Sequence, residues 1–152
     1  MSDIMSDELR SKVMSRIKNS NTKPELIIRK GLHALGFRYR INVKNMAGKP
    51  DLVLPKYKAV IFVNGCFWHG HGCSLFQWPK TKIEFWENKI TSNINRDLNN
   101  TRYLNSVGWK VGTIWECSLR GKYRKDTDVV INSISKWVKQ SDDNLEIKEH
   151  DH

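Results

Sequence analysis

The sequence predicts a single α/β domain, with helices flanking a central mixed sheet. Three observations carry this. Apolar residues recur at helical spacing near 24–35, 83–106 and 126–138. Between these stretches lie short runs rich in Val, Ile and Phe, bounded by Pro, Gly or Asn, as strands are. The chain has 152 residues with no repeat and no inner composition shift, which suits one domain of the usual size of about 100–200 residues.

The elements follow in order. Residues 1–20 are polar and carry Arg10, Lys12, Arg16 and Lys18, so a basic N-terminal arm is expected before a domain at 21–140. Asn21-Thr22-Lys23-Pro24-Glu25 reads as a helix start. Thr22 caps the backbone, Pro24 fits the first turn, and Glu25 completes a capping box. This helix runs to about Leu35 and stops at Gly36. Phe37 to Val43 alternates as a strand. Asp51–Leu54 and Lys58–Val63 form two more, joined by a turn at Pro55-Lys56-Tyr57. Thr81-Lys82-Ile83-Glu84 is a second capping box, opening a long helix to about Ser106 that closes near Gly108. Trp109–Trp115 is a strand, and Cys117 follows it. Asp126–Val138 is an amphipathic helix with Val130, Ile134 and Trp137 on one side. The remainder, 141–152, is polar and is expected to be a disordered tail.

Charge bounds the function. Lys plus Arg is 26 and Asp plus Glu is 16, giving a formal net charge of +10. Such a surface favours polyanions through phosphate contacts and counterion release. Six tryptophans among basic residues add base stacking or intercalation. Nucleic acid is therefore the expected partner, ahead of a membrane. No apolar run approaches the roughly 18 residues that span a bilayer. Three cysteines with no secretory apolar segment argue against a disulfide framework and make the cytoplasm the expected compartment.

Cys66-Phe67-Trp68-His69-Gly70-His71-Gly72-Cys73 places two thiols, two imidazoles and two large aromatics in one loop. Structural zinc takes four N or S ligands in a tetrahedron. Cys66, His71 and Cys73 supply three. The fourth is Cys117 or His69. Cys117 is preferred, because thiolates hold structural zinc well and His69 is then free for chemistry.

Three carboxylates stand out. Asp51, after Pro50, sits at the mouth of a hairpin, where it can hold a hard cation such as Mg²⁺ or merely edge a strand. Its end of the first strand should meet the Val63–Asn64 end of the second. Asp97 shares a helix face with Ile90, Ile94, Thr101 and Leu104, and no Lys or Arg lies three or four residues away. A tertiary partner is expected, either a histidine from the metal loop that it orients as a general base, or an ordinary structural hydrogen bond. Glu25 points inward with Ile28, Leu32 and Leu35, so it serves the cap, the same site, or both.

In order and spacing, Asn21–Glu25, Lys49-Pro50-Asp51, Asn64–His71 and Trp115-Glu116-Cys117 resemble the very-short-patch mismatch repair (Vsr) endonucleases, over about residues 8–138. The resemblance implies a restriction-endonuclease-like, PD-(D/E)xK-like core. It implies Mg²⁺-dependent nicking of double-stranded DNA 5′ of the thymine in T·G mismatches, which arise when 5-methylcytosine deaminates. It makes Asp51 the Mg²⁺ ligand with the Val63 carbonyl nearby. His69 becomes the base, supported by Asp97, with Glu25 assisting. Cys66, His71, Cys73 and Cys117 hold structural zinc. Phe67, Trp68 and Trp86 form the aromatic wedge, and the N-terminal arm grips the other groove. A monomer suffices, because a mismatch need not be symmetric; docking of other mismatch-repair proteins stays open. One departure is Asn64, where some members have a second histidine. Asn cannot act as acid or base near neutral pH, though it can donate a hydrogen bond. A zinc-stabilised DNA-binding module without catalysis, and a same-fold nuclease of other specificity, are therefore the alternatives.

Overall fold

The structure is a computed structural model and describes residues 22–151, so the basic arm expected at 1–20 lies outside the described residues. Helix α1 spans Lys23–Ala34. Its capping box forms as the sequence implies: Thr22 Oγ1 accepts from Glu25 N, and Glu25 Oε2 accepts from Thr22 N at 3.2 Å. The buried face of α1 is Glu25, Ile28 and Leu32.

No strand forms at 37–43. A lone bridge joins Arg40 to Val53. Phe37 is buried in the core and Tyr39 Oη donates to Arg29 O at 3.0 Å. Two inward side chains thus produce the alternation without a ladder, and Asn42, at φ +58°, ends the extended run.

Strand β1 (Leu52–Leu54) and strand β2 (Ala59–Asn64) pair antiparallel, Leu52 opposite Ile61. A 3₁₀ turn at Pro55–Tyr57 joins them, and left-handed Lys58 reverses the chain. Helix α2 (Ile83–Ser106) then crosses over to strand β3 (Lys110–Trp115), which lies parallel to β2. The capping box expected at Thr81–Glu84 does not form. The N-cap is Lys82, itself left-handed, with no side-chain cap, so Glu84 falls at the second helical position and not the third.

A 3₁₀ turn at Glu116–Ser118 follows β3, then helix α3 (Thr127–Gln140). The last segment is not the disordered tail that its polarity suggests. Leu145–Ile147 forms strand β4, parallel to β3, giving sheet order β1-β2-β3-β4. An edge strand needs few apolar side chains, and here Ile147 alone is buried. Polar groups do the rest of the fastening. Asn144 Oδ1 accepts from Val111 N at 2.9 Å, and Trp137 Nε1 donates to Asp143 O at 2.6 Å. Lys110 Nζ donates to the carbonyls of Trp137, Val138 and Ser141, which closes the α3 C-terminus.

The sheet divides two apolar layers. Ile28, Leu32, Leu52, Ile61, Ile114 and Ile134 fill the α1–α3 side, while Val53, Val60, Leu104 and Val111 fill the α2 side. Alternation along β2 sends Ile61 to one layer and Val60 to the other. Helices α1 and α3 meet at Gly31, where a Cβ would lie 2.4 Å from Ile131 Cδ1.

Candidate active site and metal centre

Because β1 and β2 run antiparallel, the start of β1 lies beside the end of β2. There Asp51 N donates to Ile61 O at 2.9 Å, and Val63 N donates to Asp51 Oδ2 at 2.6 Å. Glu25 reaches the same point from the first turn of α1. It is 2% exposed, hydrogen-bonds Asp51, and accepts from Arg29 Nη2 at 2.8 Å. Burial first, and then Glu25 beside it, push the Asp51 pKa up to about 8; the Val63 N–H and Arg29 pull the other way. Two adjoining carboxylates in a buried corner form a hard oxygen donor set and gain from a cation between them, so this corner fits a divalent ion such as Mg²⁺.

The loop leaving the same end of β2 is pressed onto α2. Gly70 makes this approach possible. At φ +62°, its hypothetical Cβ would lie 2.6 Å from both Ile90 Cγ2 and Ile94 Cδ1. One turn on, Asn93 Nδ2 donates to Trp68 O at 2.8 Å. A further turn on, Asp97 Oδ2 lies 2.5 Å from His69 Nδ1. The acid in the apolar stripe of α2 therefore finds a histidine of the loop. Both side chains keep solvent access, at 22% for His69 and 32% for Asp97. Gly70→Ala is expected to destabilise the protein by about 1–3 kcal/mol, from left-handed strain plus the clash with α2. Thermal unfolding measures this, and an unchanged Tm would show that the loop yields freely.

Cys66, His71, Cys73 and Cys117 offer ligand atoms that all lie within 4.8 Å of one another. Cys117 Sγ and His71 Nδ1 are 3.6 Å apart. A zinc tetrahedron with Zn–S bonds of ~2.3 Å has edges of about 3.8 Å, so the donor set and its spacing fit a metal. His69 is not in this group. Burial lowers the His71 pKa, which keeps its ring neutral and able to ligate. Burial also raises the Cys66 and Cys117 thiols, the latter to about 11, and a bound cation would reverse this. His71 stacks on Trp115 with centroids 4.0 Å apart, and Cys66 N donates to Glu116 Oε1 at 3.3 Å. The turn after β3 thus holds the loop as well as supplying Cys117.

Phe67, Trp68 and Trp86 pack together, with centroids 5.3–5.9 Å apart. Three aromatics that sequence reasoning missed extend the patch: Phe76 stacks on Phe67, Trp78 meets Phe76, and Phe85 meets Trp86. Trp78 is 51% and Phe85 57% exposed. Exposed aromatics on a strongly basic protein were the available signal, and their scatter over loop and helix hid their convergence. Asn93 and Glu149 were missed too, because neither belongs to a local motif; Trp115 and Glu116 stand in the Trp115-Glu116-Cys117 motif, which by itself gave them no role. Asn64 is buried at the last position of β2 and shares a sheet face with Val60 and Phe62.

Among the described residues, no helix is long and apolar enough to cross a membrane. The family described as DNA mismatch endonuclease Vsr matches residues 2–75. The type II nicking enzyme V.NmeAIP of Neisseria meningitidis serogroup A is 49% identical over 122 residues, covering 80% of this chain and 87% of that protein. The DNA mismatch endonuclease Vsr of Escherichia coli K12 is 36% identical over 138 residues, covering 91% of this chain and 88% of that protein. In three dimensions the catalytic domain of the homing endonuclease I-Bth0305I aligns with a TM-score of 0.53 at 26% identity, over 78% of this chain and 97% of that one. A mixed sheet flanked by helices, a Cys/His cluster and relatives matched over most of their length agree: the chain belongs to the Vsr endonuclease family and is a DNA endonuclease.

Proposed function

We propose that the protein nicks double-stranded DNA 5′ of the thymine in T·G mismatches, by Mg²⁺-dependent phosphodiester hydrolysis. The His69–Asp97 hydrogen bond carries this reading, since the loop that presents His69 leaves the same end of β2 at which Asp51 is held. Asp51 would hold the magnesium, with the Val63 backbone carbonyl as a further donor and Glu25 in support. When bound, the ion neutralises charge developing on the scissile phosphate. Asp97 accepts from His69 Nδ1–H, which leaves the other ring nitrogen free to take a proton from the attacking water. Phe67, Trp68 and Trp86 enter the duplex at the mismatch, where opening costs less than at a normal pair. The arm at 1–20 grips the opposite groove. The enzyme acts as a monomer in the cytoplasm, on nucleoid DNA.

A labelled T·G duplex tests the reading. A Mg²⁺-dependent nick 5′ of the T supports it. The Asn64 side chain, with no acid–base capacity, favours a second reading as a binding module with weak or no catalysis. Tight binding without cleavage in any divalent metal would establish that one. Equal cleavage of a T·A duplex would point to a nuclease of different specificity.

The second metal is structural zinc on Cys66, His71, Cys73 and Cys117. Metal analysis is expected to give one zinc per chain, and Cys117→Ser to lose it. Stoichiometric zinc in that variant would move the fourth ligand to His69 and undo the base assignment.

A further inference from the structure

The C-terminal segment reaches each part of the metal cluster that lies outside the Cys66 end of the loop. From β4, Glu146 Oε2 accepts from Trp115 Nε1 at 2.9 Å, and Trp115 is the ring on which His71 lies flat at an interplanar angle of 6°. Two residues past β4, Glu149 N donates to Cys117 Sγ at 3.3 Å. The Glu149 carboxylate turns back to the loop: Oε1 accepts from Ser74 N at 2.9 Å, and Oε2 accepts from the Ser74 hydroxyl. Ser74 follows Cys73 directly. Glu149 is 8% exposed, so these bonds are shielded from water. His150 N then donates to Tyr123 O at 2.9 Å, which pins the segment beyond Glu149. One short strand with its extension thus touches the neighbours of His71 and Cys73 and the sulfur of Cys117.

We propose that the segment 145–150 is the outer brace of the metal centre, with Glu149 as its positioning residue. It rests on the zinc reading above and deepens it. The physical case has two parts. An N–H donated to a thiolate sulfur stabilises its negative charge and fixes the direction of its lone pairs, as partners of metal ligands commonly do. The carboxylate clamp on Ser74 holds the loop end that carries Cys73, so that Cys73 and Cys117 approach the ion from fixed directions. A carboxyl group buried just past a strand end, in a segment whose core contacts come from Ile147 and partly buried Leu145, serves hydrogen bonding more than packing. Loss of the brace should therefore open the cluster before it unfolds the domain.

The test is metal release from the full-length protein. Zinc transfer to an excess of a chromogenic chelator is followed for the wild type and for Glu149→Ala, Glu149→Gln, Glu149→Pro and Ser74→Ala, each checked for folding by circular dichroism. Glu149→Ala removes the clamp and keeps the N–H; Glu149→Pro removes both. The brace predicts release about 10–100-fold faster in Glu149→Ala, the loss of affinity typical of missing outer partners carried into the dissociation rate. Glu149→Gln should recover most of the difference, and Ser74→Ala should fall between. In cobalt-substituted protein, Glu149→Pro should shift the thiolate-to-cobalt charge-transfer band, while Glu149→Ala leaves it in place. Should the proline variant fail to fold, the other three substitutions decide. Variants that release metal within twofold of the wild-type rate overturn the brace alone. A wild type that holds no metal overturns the zinc reading and the brace with it.

Discussion

Replacement of His69 by alanine is expected to lower the nicking rate by about 10²–10⁴-fold, the usual worth of a positioned acid–base group. Binding of the T·G duplex and zinc content should stay at wild-type levels. The geometry separates these outcomes. His69 lies outside the four-residue metal cluster and contacts Asp97 through Nδ1 at 2.5 Å, so on the proposed reading its loss would remove the proton acceptor and none of the cluster residues. Truncation in this partly exposed position leaves no large enclosed cavity, and the Gly70 contact with Ile90 and Ile94 still seats the loop on α2. Asp97→Asn should have a smaller effect of the same kind. An amide can no longer hold a proton on Nδ1 by charge, so the ring samples the wrong tautomer and kcat falls with little change in KM. Single-turnover nicking with saturating enzyme isolates the chemical step. A His69→Ala protein that nicks within tenfold of wild type would remove His69 as the base. Loss of zinc in the same variant would return it to the ligand set.

How much of this was legible in the sequence depended on how local each signal was. The capping box at Thr22–Glu25 is a four-residue device, and it formed as written. The long helix after residue 82 was legible from periodicity, but its first turn was not. The box at Thr81–Glu84 lost to a left-handed Lys82, a choice that the preceding loop makes and that the four residues do not encode. The alternation of Phe37 and Tyr39 was real and misread. It records two side chains turned toward the core, while a strand also needs a partner ladder, and only the Arg40–Val53 bridge exists. The error at the C-terminus has the opposite origin. Leu145-Glu146-Ile147 alternates as a strand does, but three residues inside the polar stretch 141–152 are too short a signal until β3 is present to pair with them.

The candidate site divides in the same way. Cys66, His71 and Cys73 announce themselves by spacing, and Cys117 by being the remaining cysteine of three. Asp97 was legible because an acid in an apolar stripe without a helical counter-charge calls for a partner. Its partner came from a loop twenty-eight residues away in sequence. Glu149 carried no such mark. A glutamate among polar residues near a chain end gives no hint that it will be buried against Ser74 and Cys117, which are brought there only by the sheet. Pairwise motifs survive in sequence; the outer partners that hold them arise from the fold.

Asp51→Asn is expected to lower Mg²⁺-dependent nicking by about 10³-fold, equal to about 4 kcal/mol at 1.36 kcal/mol per decade. The same substitution should stabilise the protein in the absence of added magnesium. Asn keeps an oxygen for the Val63 N–H, which Asp51 Oδ2 now accepts at 2.6 Å, and it removes a carboxylate from beside Glu25. The pH dependence fixes the cause. Burial and Glu25 raise the Asp51 pKa from its ordinary 3.8 to about 8 in the folded state. A raised folded-state value means that the folded protein holds this proton more tightly than the unfolded chain. Its contribution to stability is therefore complete below about pH 4 and is lost as pH rises through about 8. Asparagine does not titrate, so the variant's advantage in Tm should be small near pH 5 and grow toward pH 9. An advantage of about 1 kcal/mol corresponds to roughly 2–4 °C in a chain of this length. Added Mg²⁺ should raise the wild-type Tm most at the alkaline end and leave the variant unmoved, as expected of an ion that would take the place of the Asp51 proton beside Glu25. Calorimetry of the zinc-loaded protein, with and without magnesium, measures both effects. A Tm difference that is constant from pH 5 to 9 would show that burial and Glu25 do not hold a proton on Asp51 in the folded state, and would remove this support for a cation at the corner.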